Sequence, residues 1–175
     1  MTASIILTGP MGSGKTSVGR LLARRCGYQF QDLDALIVEQ AGKSINQIFA
    51  DEGEAGFREH ETALLATLVG QQGMVLSTGG GAVISEKNRR LLHAAGLVVN
   101  LVATVDVLVK RLAQADDRPL LKGGEALDVR IERIMTAREQ FYADADIRID
   151  TTGKTLEDVA AEILAFYVQK CPGAL

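Results

Sequence analysis

Apolar residues along the chain cluster in short runs that are separated by longer amphipathic stretches. Short runs rich in apolar and β-branched residues are typical of buried strands. They occur at residues 4–8, 28–32, 74–77, 97–101 and 147–150. Strands that alternate with helical patterns predict an α/β domain with a five-stranded parallel sheet flanked by helices. Ligands of such sheets bind beyond the carboxyl ends of the strands.

The stretches between the strands have helical spacing and recognisable caps. Ser44 with Gln47 fits a capping box, and Thr155 with Asp158 fits another. Gly96 follows the stretch that Ser85 opens, as a helix-ending glycine does. The pattern predicts helices at residues 16–25, 35–40, 45–49, 54–71, 85–95, 104–113 and 155–170.

Composition narrows the class of protein. A chain of 175 residues that is 47% hydrophobic and 23% charged fits one soluble domain, residues 1–175, with a full core. A net charge of −3 argues against a nucleic-acid surface. The chain shows no apolar run of membrane-spanning length and no signal-peptide pattern. We therefore expect a cytoplasmic protein that binds neither nucleic acid nor a membrane, and we expect a monomer.

The residues from Gly9 to Thr16 fit the phosphate-binding pattern G-x4-G-K-[ST], between a predicted strand and a predicted helix. Its glycines let backbone N–H groups surround an anion, and the helix amino terminus adds to the attraction. Lys15 supplies a charge for the terminal phosphates, and the Thr16 hydroxyl is a ligand for Mg²⁺ bound to them. The predicted ATP-binding residues of this loop are Gly12, Ser13, Gly14, Lys15, Thr16 and Ser17.

Two carboxylates follow the second predicted strand, Asp32 and Asp34. One of them could hold Mg²⁺ and the other accept a proton from an attacking hydroxyl, or one could be the cap of the next helix. The third strand does not end in the metal-supporting Asp of many phosphate-loop proteins, but leads to Ser77. Asp32, with Thr16, is therefore the candidate for the metal.

Two glycine-bearing segments lie at the same predicted edge of the sheet. Residues 78–81 read Thr-Gly-Gly-Gly, and three successive glycines allow a ligand to approach the backbone closely. Residues 114–124 are polar and aperiodic, with Gly, Pro and charge, and this composition predicts a mobile loop or lid.

Three arginines are candidates for binding anions: Arg58, Arg118 and Arg138. A guanidinium binds carboxylate or phosphate through two parallel hydrogen bonds, although most arginines simply lie on a solvated helix face. Arg118 has the stronger context, because it lies in the segment 114–124 and an arginine can stabilise charge on a transferring phosphoryl group.

Six motifs in this order carry a family resemblance. They are the phosphate loop, Asp32-x-Asp34, Gly56-Phe57-Arg58-x-x-Glu61, Thr78-Gly79-Gly80-Gly81, Arg118-Pro119-Leu120-Leu121 and Arg138-x3-Tyr142. Together they resemble shikimate kinase over nearly the whole chain. The resemblance implies a phosphate-loop NTPase fold of the nucleoside-monophosphate-kinase type. It also implies ATP and shikimate as substrates, Mg²⁺ as cofactor, and transfer of the γ-phosphoryl of ATP to the 3-hydroxyl of shikimate.

By position, the resemblance implies roles for single residues. Shikimate would be bound by Asp34, Arg58, Gly80 and Arg138, with its binding subregion at about residues 34–61. The catalytic set would be Lys15, Asp34 and Arg118. Arg118 would lie on a lid at residues 114–124 over ATP, and Arg111 would lie beside the adenine.

Two rival functions fit parts of the same sequence. Another small-molecule kinase, such as a gluconate or nucleoside-monophosphate kinase, shares the architecture, and a sugar acid would suit Arg58 and Asp34. A GTPase-type switch shares the phosphate loop but needs an Asn-Lys-x-Asp motif, which the sequence lacks. The joint set of motifs favours shikimate.

Overall fold

The computed structural model describes residues 3–113 and 126–173. Five strands form one parallel sheet: β1 (Ser4–Thr8), β2 (Gln29–Asp32), β3 (Met74–Ser77), β4 (Gly96–Val102) and β5 (Ile147–Asp150). Their order across the sheet is β2-β3-β1-β4-β5, so β1 lies at the centre. In the register, Leu7 pairs with Ser77 on one side and with Val99 on the other. The five predicted strands and their parallel arrangement are confirmed.

The described chain forms seven helices, six between the strands and one after the last strand. They are α1 (Lys15–Cys26), α2 (Leu33–Ala41), α3 (Ile45–Leu68), α4 (Glu86–Ala95), α5 (Val105–Ala113), α6 (Leu127–Tyr142) and α7 (Leu156–Lys170). Both predicted capping boxes are present, at the starts of α3 and α7. Within residues 3–113 and 126–173, no helix combines the length and the apolar character that crossing a membrane requires.

Alternation along β1 divides the core into two layers. Ile6 faces one layer, where the apolar sides of α2, α3 and α4 and Tyr142 of α6 pack together. Ile5 and Leu7 face the other layer, which α1 and α7 cover. Because the central strands are buried on both faces, they read as continuous apolar runs rather than alternating ones. This packing holds the carboxyl ends of β1, β2 and β3 together at one edge.

Helix α3 contains the break that separates the predicted helices at residues 45–49 and 54–71. Its two helical segments are joined end to end from Ile45 to Leu68, so the second segment ends before residue 71. The kink is at Gly53, whose φ of 70° and ψ of −174° are not helical. A glycine tolerates this conformation because it has no Cβ atom, so the two helical segments meet without an intervening loop.

Candidate active site

The phosphate loop joins the end of β1 to the start of α1. Gly14 precedes α1 in a left-handed conformation with φ of 95°, which lets the helix begin directly at Lys15. The ammonium of Lys15 is buried and donates hydrogen bonds to the carbonyls of Gly9 and Pro10, each at 2.9 Å. The loop therefore encloses a positive charge at the amino end of a helix, where anions bind.

Asp32 lies beside this loop at the end of β2. Its Oδ1 accepts hydrogen bonds from the backbone N–H groups of Asp34 at 3.1 Å and Ala35 at 3.3 Å, so Asp32 caps α2. Its Oδ2 accepts a hydrogen bond from the Thr16 hydroxyl at 3.4 Å. The two roles left open by the sequence are compatible, because one oxygen caps the helix while the other faces the phosphate loop.

The segment Gly79–Gly81, hereafter the glycine turn, follows β3 and adjoins both Asp34 and the phosphate loop. The Thr78 hydroxyl anchors its start by donating to the Leu7 carbonyl at 3.0 Å. A Cβ atom on Gly79 would lie 3.0 Å from Asp34 Oδ1. A Cβ atom on Gly80 would lie 3.5 Å from the Gly9 oxygen and 3.6 Å from the Met11 nitrogen. A side chain on Gly79 would therefore crowd Asp34, whereas the contacts of a Cβ atom on Gly80 would be ordinary van der Waals contacts.

Arg58 reaches the glycine turn from α3. A Cβ atom on Gly81 would overlap the Arg58 guanidinium. Nη1 of Arg58 donates to both carboxylate oxygens of Glu61 at 3.1 Å each, and Nη2 donates to Glu54 at 3.2 Å. These bonds fix the plane of the guanidinium against the turn, and the side chain remains one-quarter exposed.

Glu61 is a fully buried carboxylate, with 0% of its side chain exposed. Besides Arg58, it accepts a hydrogen bond from the Asn88 amide of α4 at 3.0 Å, and Asn88 in turn accepts the Thr62 hydroxyl at 2.6 Å. Burial raises the pKa of Glu61, while Arg58 and Asn88 act in the opposite direction. Burial disfavours the charged form of Glu61, and the interaction with Arg58 opposes this effect. The same interaction holds the guanidinium of Arg58 in place.

Arg138 and Tyr142 approach the glycine turn from α6. Both donate to the carbonyl oxygen of Gly80, Arg138 through Nη1 at 3.1 Å and Tyr142 through its hydroxyl at 2.7 Å. The structure therefore brings Asp34, Arg58 and Arg138, which come from three different helices, to a single turn.

On the opposite side of the phosphate loop lies Arg111, near the end of α5. Its guanidinium donates to the Gly12 carbonyl at 3.3 Å and to the hydroxyl and carbonyl of Thr151 at 3.0 and 3.2 Å. These bonds link the phosphate loop to the segment after β5. The arginine is held flat at the end of the cleft away from the glycine turn.

A cleft of about 1090 Å³ runs along this edge of the sheet, large enough for a nucleotide and a small acceptor together. Arg58 and Arg138 are not among the residues that line it, but both contact the glycine turn at its edge. Arg118 and the segment 114–124 lie outside the described residues. The walls include all the other predicted site residues: Gly12, Ser13, Gly14, Lys15, Thr16, Ser17, Asp32, Asp34, Gly80 and Arg111.

Three residues with evident structural roles in this site were given none from the sequence: Glu61, Asn88 and Tyr142. Glu61 has one usable signal, since it lies three residues after Arg58 and on the buried face of α3 with Leu64 and Leu65. Tyr142 has a signal of the same kind, four residues after Arg138, although its partner Gly80 is distant in sequence. Asn88 acts across a contact between distant helices, so its spacing carries no such signal.

A comparison with known protein families decides which family this chain belongs to. A model of the family described as shikimate kinase matches residues 11–168. The chain belongs to the shikimate kinase family. Shikimate kinases from Geobacter sulfurreducens and Geobacter metallireducens are 56% and 57% identical over 163 residues, which are 93% of this chain and 90% of each relative. The expected shikimate kinase function is thereby confirmed.

Solved structures agree with this family membership. A shikimate kinase from Acinetobacter baumannii in complex with shikimate superimposes with a TM-score of 0.90 at 36% identity, over 98% of this chain and 96% of that one. A gluconokinase from Sinorhizobium meliloti has a TM-score of 0.63 at 21% identity and shares the fold alone. The phosphate-loop kinase fold expected for a shikimate kinase is confirmed.

Proposed function

We propose that the cleft binds ATP at the phosphate loop and shikimate at the glycine turn. The γ-phosphoryl of ATP would pass to the 3-hydroxyl of shikimate, giving shikimate 3-phosphate and ADP. One observation carries the proposal: Arg58, Arg138 and Asp34 converge on a turn whose Gly80 adjoins the phosphate-loop backbone. Shikimate presents a carboxylate to arginines and three hydroxyls to a carboxylate, so the chemistry of acceptor and site is complementary.

On the nucleotide side, backbone N–H groups of the residues from Gly12 to Ser17 would bind the phosphates. Lys15 would balance the charge that develops on the transferring group. Arg111, held flat by Gly12 and Thr151, would lie beside the adenine. Arg111 is held in place before ATP arrives, whereas Lys15 would exchange its bonds to the Gly9 and Pro10 carbonyls for bonds to the phosphates.

Shikimate kinases use ATP with Mg²⁺, and the oxygen donors here fit that ion. Thr16 Oγ1 and Asp32 Oδ2 lie 3.4 Å apart beside the phosphate loop, and both are hard oxygen ligands. The described part of the chain has no cluster of three or more side chains able to hold a metal. That suits Mg²⁺, which takes one or two protein ligands, waters and substrate phosphates. When bound, it neutralises charge on the β- and γ-phosphates.

On the acceptor side, Asp34 would accept a hydrogen bond from the 3-hydroxyl and direct its oxygen toward the γ-phosphorus. Phosphoryl transfer passes through a loose transition state, so orientation of the hydroxyl matters at least as much as early removal of its proton. The closeness of Asp34 to Gly79 supports this assignment, because it puts the carboxylate on the turn that faces the acceptor.

Binding of shikimate tests the arginine assignments. A hydrogen bond to a charged group contributes roughly 1.5–3 kcal/mol, so Arg58→Ala and Arg138→Ala should each weaken shikimate about 10- to 150-fold. ATP affinity should change much less, because the contacts of both arginines are to the glycine turn and to α3 rather than to the phosphate loop. Calorimetric titration of each ligand measures both quantities directly.

The matched control is Arg24→Ala, which removes an exposed arginine from the last turn of α1, the end of that helix remote from the phosphate loop. It should bind both ligands normally. Normal shikimate binding by both Arg58→Ala and Arg138→Ala would refute the assignment. An ADP-release assay with shikimate, quinate, gluconate and nucleoside monophosphates tests the acceptor itself, and only shikimate should give full turnover.

The expectations on oligomeric state, cellular location and domain organisation stay predictions. We expect a monomer by analytical ultracentrifugation, a cytoplasmic location, and a single kinase domain over residues 1–175.

A further inference from the structure

The carbonyl oxygen of Gly80 receives two hydrogen bonds from the same helix. The Tyr142 hydroxyl donates at 2.7 Å and Arg138 Nη1 donates at 3.1 Å. The two residues are four apart on α6, so they lie on one face, one turn after the other. Tyr142 is 2% exposed and its ring packs in the core layer of α2, α3 and α4, so its hydroxyl has a fixed position.

The two hydrogen-bond donors, Arg138 and Tyr142, are not equivalent once shikimate binds. Under the proposed function, Arg138 binds the shikimate carboxylate. A charge-assisted bond to a carboxylate is stronger than a bond to a neutral carbonyl, so the guanidinium turns toward the ligand. The Gly80 carbonyl then depends on Tyr142 alone.

Movement of the Gly80 peptide would reach both halves of the cleft. Gly80 is packed against the backbone of Gly9 and Met11 in the phosphate loop, and the next residue, Gly81, is packed against the Arg58 guanidinium. A shift of this peptide would therefore alter the spacing between acceptor and phosphate and the direction of Arg58. Misplacement of reacting groups by about 1 Å is enough to cost a large part of the rate.

We infer that Tyr142 is a positioning residue, which holds the Gly80 peptide in place while Arg138 turns from that carbonyl to the substrate. The inference rests on the proposed function, because it requires Arg138 to bind the acceptor. It gives a role to the second member of the Arg138-x3-Tyr142 motif, which contacts the glycine turn but not the cleft.

Tyr142→Phe removes one oxygen atom and keeps the packed ring. Losing one hydrogen bond of ordinary strength predicts a shikimate Kd and KM about 3- to 10-fold higher, with the KM for ATP within about twofold of wild type. The matched control is Tyr28→Phe, which also removes a hydrogen-bonded tyrosine hydroxyl. Tyr28 lies just before β2, and its hydroxyl is 2.8 Å from the Tyr167 hydroxyl. That variant should leave both Michaelis constants unchanged.

Thermal unfolding separates positioning from a merely structural role. In the free protein Arg138 still occupies the Gly80 carbonyl, so Tyr142→Phe should lower the Tm of the free protein little. The increase in Tm caused by saturating shikimate should instead be smaller than in wild type. A lower Tm of the free protein with unchanged shikimate affinity would show that the hydroxyl only stabilises the fold, and would overturn the inference.

Arg138→Ala, measured in parallel, separates the two levels of the argument. Weak shikimate binding by Arg138→Ala with normal binding by Tyr142→Phe would overturn the role of Tyr142 and leave the proposed function standing. Normal binding by Arg138→Ala would overturn the arginine assignment and, with it, the reason for a second donor. Weakened binding in both variants, with Tyr28→Phe unaffected, is the expected result.

Discussion

The carboxylate of Asp34 lies where the two halves of the cleft meet. It belongs to the first turn of α2, directly after the cap Asp32, and its Oδ1 lies 3.0 Å from the position that a Cβ atom on Gly79 would occupy. The capping bonds of Asp32 fix the backbone of this turn. A side chain so placed can orient an acceptor hydroxyl without any rearrangement of the backbone.

Asp34→Asn tests whether this carboxylate takes part in the chemical step. The amide keeps the size of the side chain and loses its basicity, so kcat with saturating shikimate should fall by more than about tenfold. Glu39→Gln, which neutralises an exposed carboxylate later on the same helix, is the matched control and should retain full activity. If Asp34→Asn raises only the KM for shikimate, Asp34 binds the hydroxyl and accepts no proton.

For single residues, the sequence predicts those roles that depend on local spacing. Lys15 and Thr16 follow from the motif that contains them, and Asp32 follows from its place at the end of a strand. Glu61 and Tyr142 do not follow in this way. Glu61 bonds Arg58 within one helix, but its burial and its bond to Asn88 come from packing against α4. The bond from Tyr142 to the Gly80 carbonyl joins positions 62 residues apart. Contacts between distant segments depend on how helices pack, and no local pattern records that packing.

Among the helices, α3 shows how a single residue shapes an element. Gly53 divides it into a first segment with Phe49 and a second with Phe57, and the two rings stack with centroids 4.8 Å apart. Glu52 pairs across the kink with His60 at 2.9 Å, and on its own side of the kink with Lys43 at 3.4 Å. The kink thus fixes the direction in which the second segment carries Arg58.

Gly53→Ala should damage both stability and shikimate binding. Its φ of 70° with ψ of −174° belongs to a region that only glycine adopts readily, so alanine should lower the free energy of unfolding by about 1–3 kcal/mol. Because Arg58 follows five residues later, the Kd for shikimate should rise as well. Urea denaturation and calorimetry measure the two effects.

Gly27→Ala serves as the control for this change. Gly27 also has a positive φ, 69°, and a Cβ atom there would meet no neighbour, but it ends α1 remote from the phosphate loop. The Gly27→Ala variant should have a lower free energy of unfolding than wild type and should bind shikimate normally. Equal shikimate affinity in Gly53→Ala and wild type would mean that the kink serves the fold alone.

The elements also differ in how far sequence could define them. Caps at Ser85 and Gly96 gave α4 its predicted limits, because both act through local hydrogen bonds. Helix α6, by contrast, is not among the helices whose limits the sequence pattern predicts. Its first residue follows Ala126, which makes no side-chain cap, and its apolar Val129 is 51% exposed while Ile131 is buried. The start of α6 therefore has no side-chain cap that a local pattern could reveal, and its apolar residues do not all face the core.

For the molecule as a whole, the buried carboxylate of Glu61 links stability to pH. Burial raises its pKa above the ordinary value of 4.5, against the opposing effects of Arg58 and Asn88, while nearby Asp34 adds to the rise. An acid with a raised pKa binds its proton more tightly in the folded protein than in the unfolded chain. The stabilisation is therefore complete below the ordinary value and is lost as pH rises through the raised pKa.

Glu61→Gln removes this proton and retains hydrogen-bonding capacity toward Arg58. The free energy of unfolding of wild type, relative to Glu61→Gln, should therefore decrease as pH rises above 4.5, by at most about 1.4 kcal/mol per pH unit for one proton. Urea denaturation of both proteins at a series of pH values gives the difference, and Glu39→Gln accounts for the loss of a carboxylate as such. A difference that is constant or rises with pH would contradict the raised pKa.

The central place of β1 in the sheet has a consequence for biosynthesis. Its two neighbours, β3 and β4, are formed by residues 74–77 and 96–102, so both arrive long after β1 has left the ribosome. At the usual pace of translation, roughly 5–20 seconds separate the emergence of β1 from that of its second partner. Until then the strand that leads into the phosphate loop is paired on one side at most. Nucleotide that binds to this loop therefore stabilises only chains whose central strands have already paired.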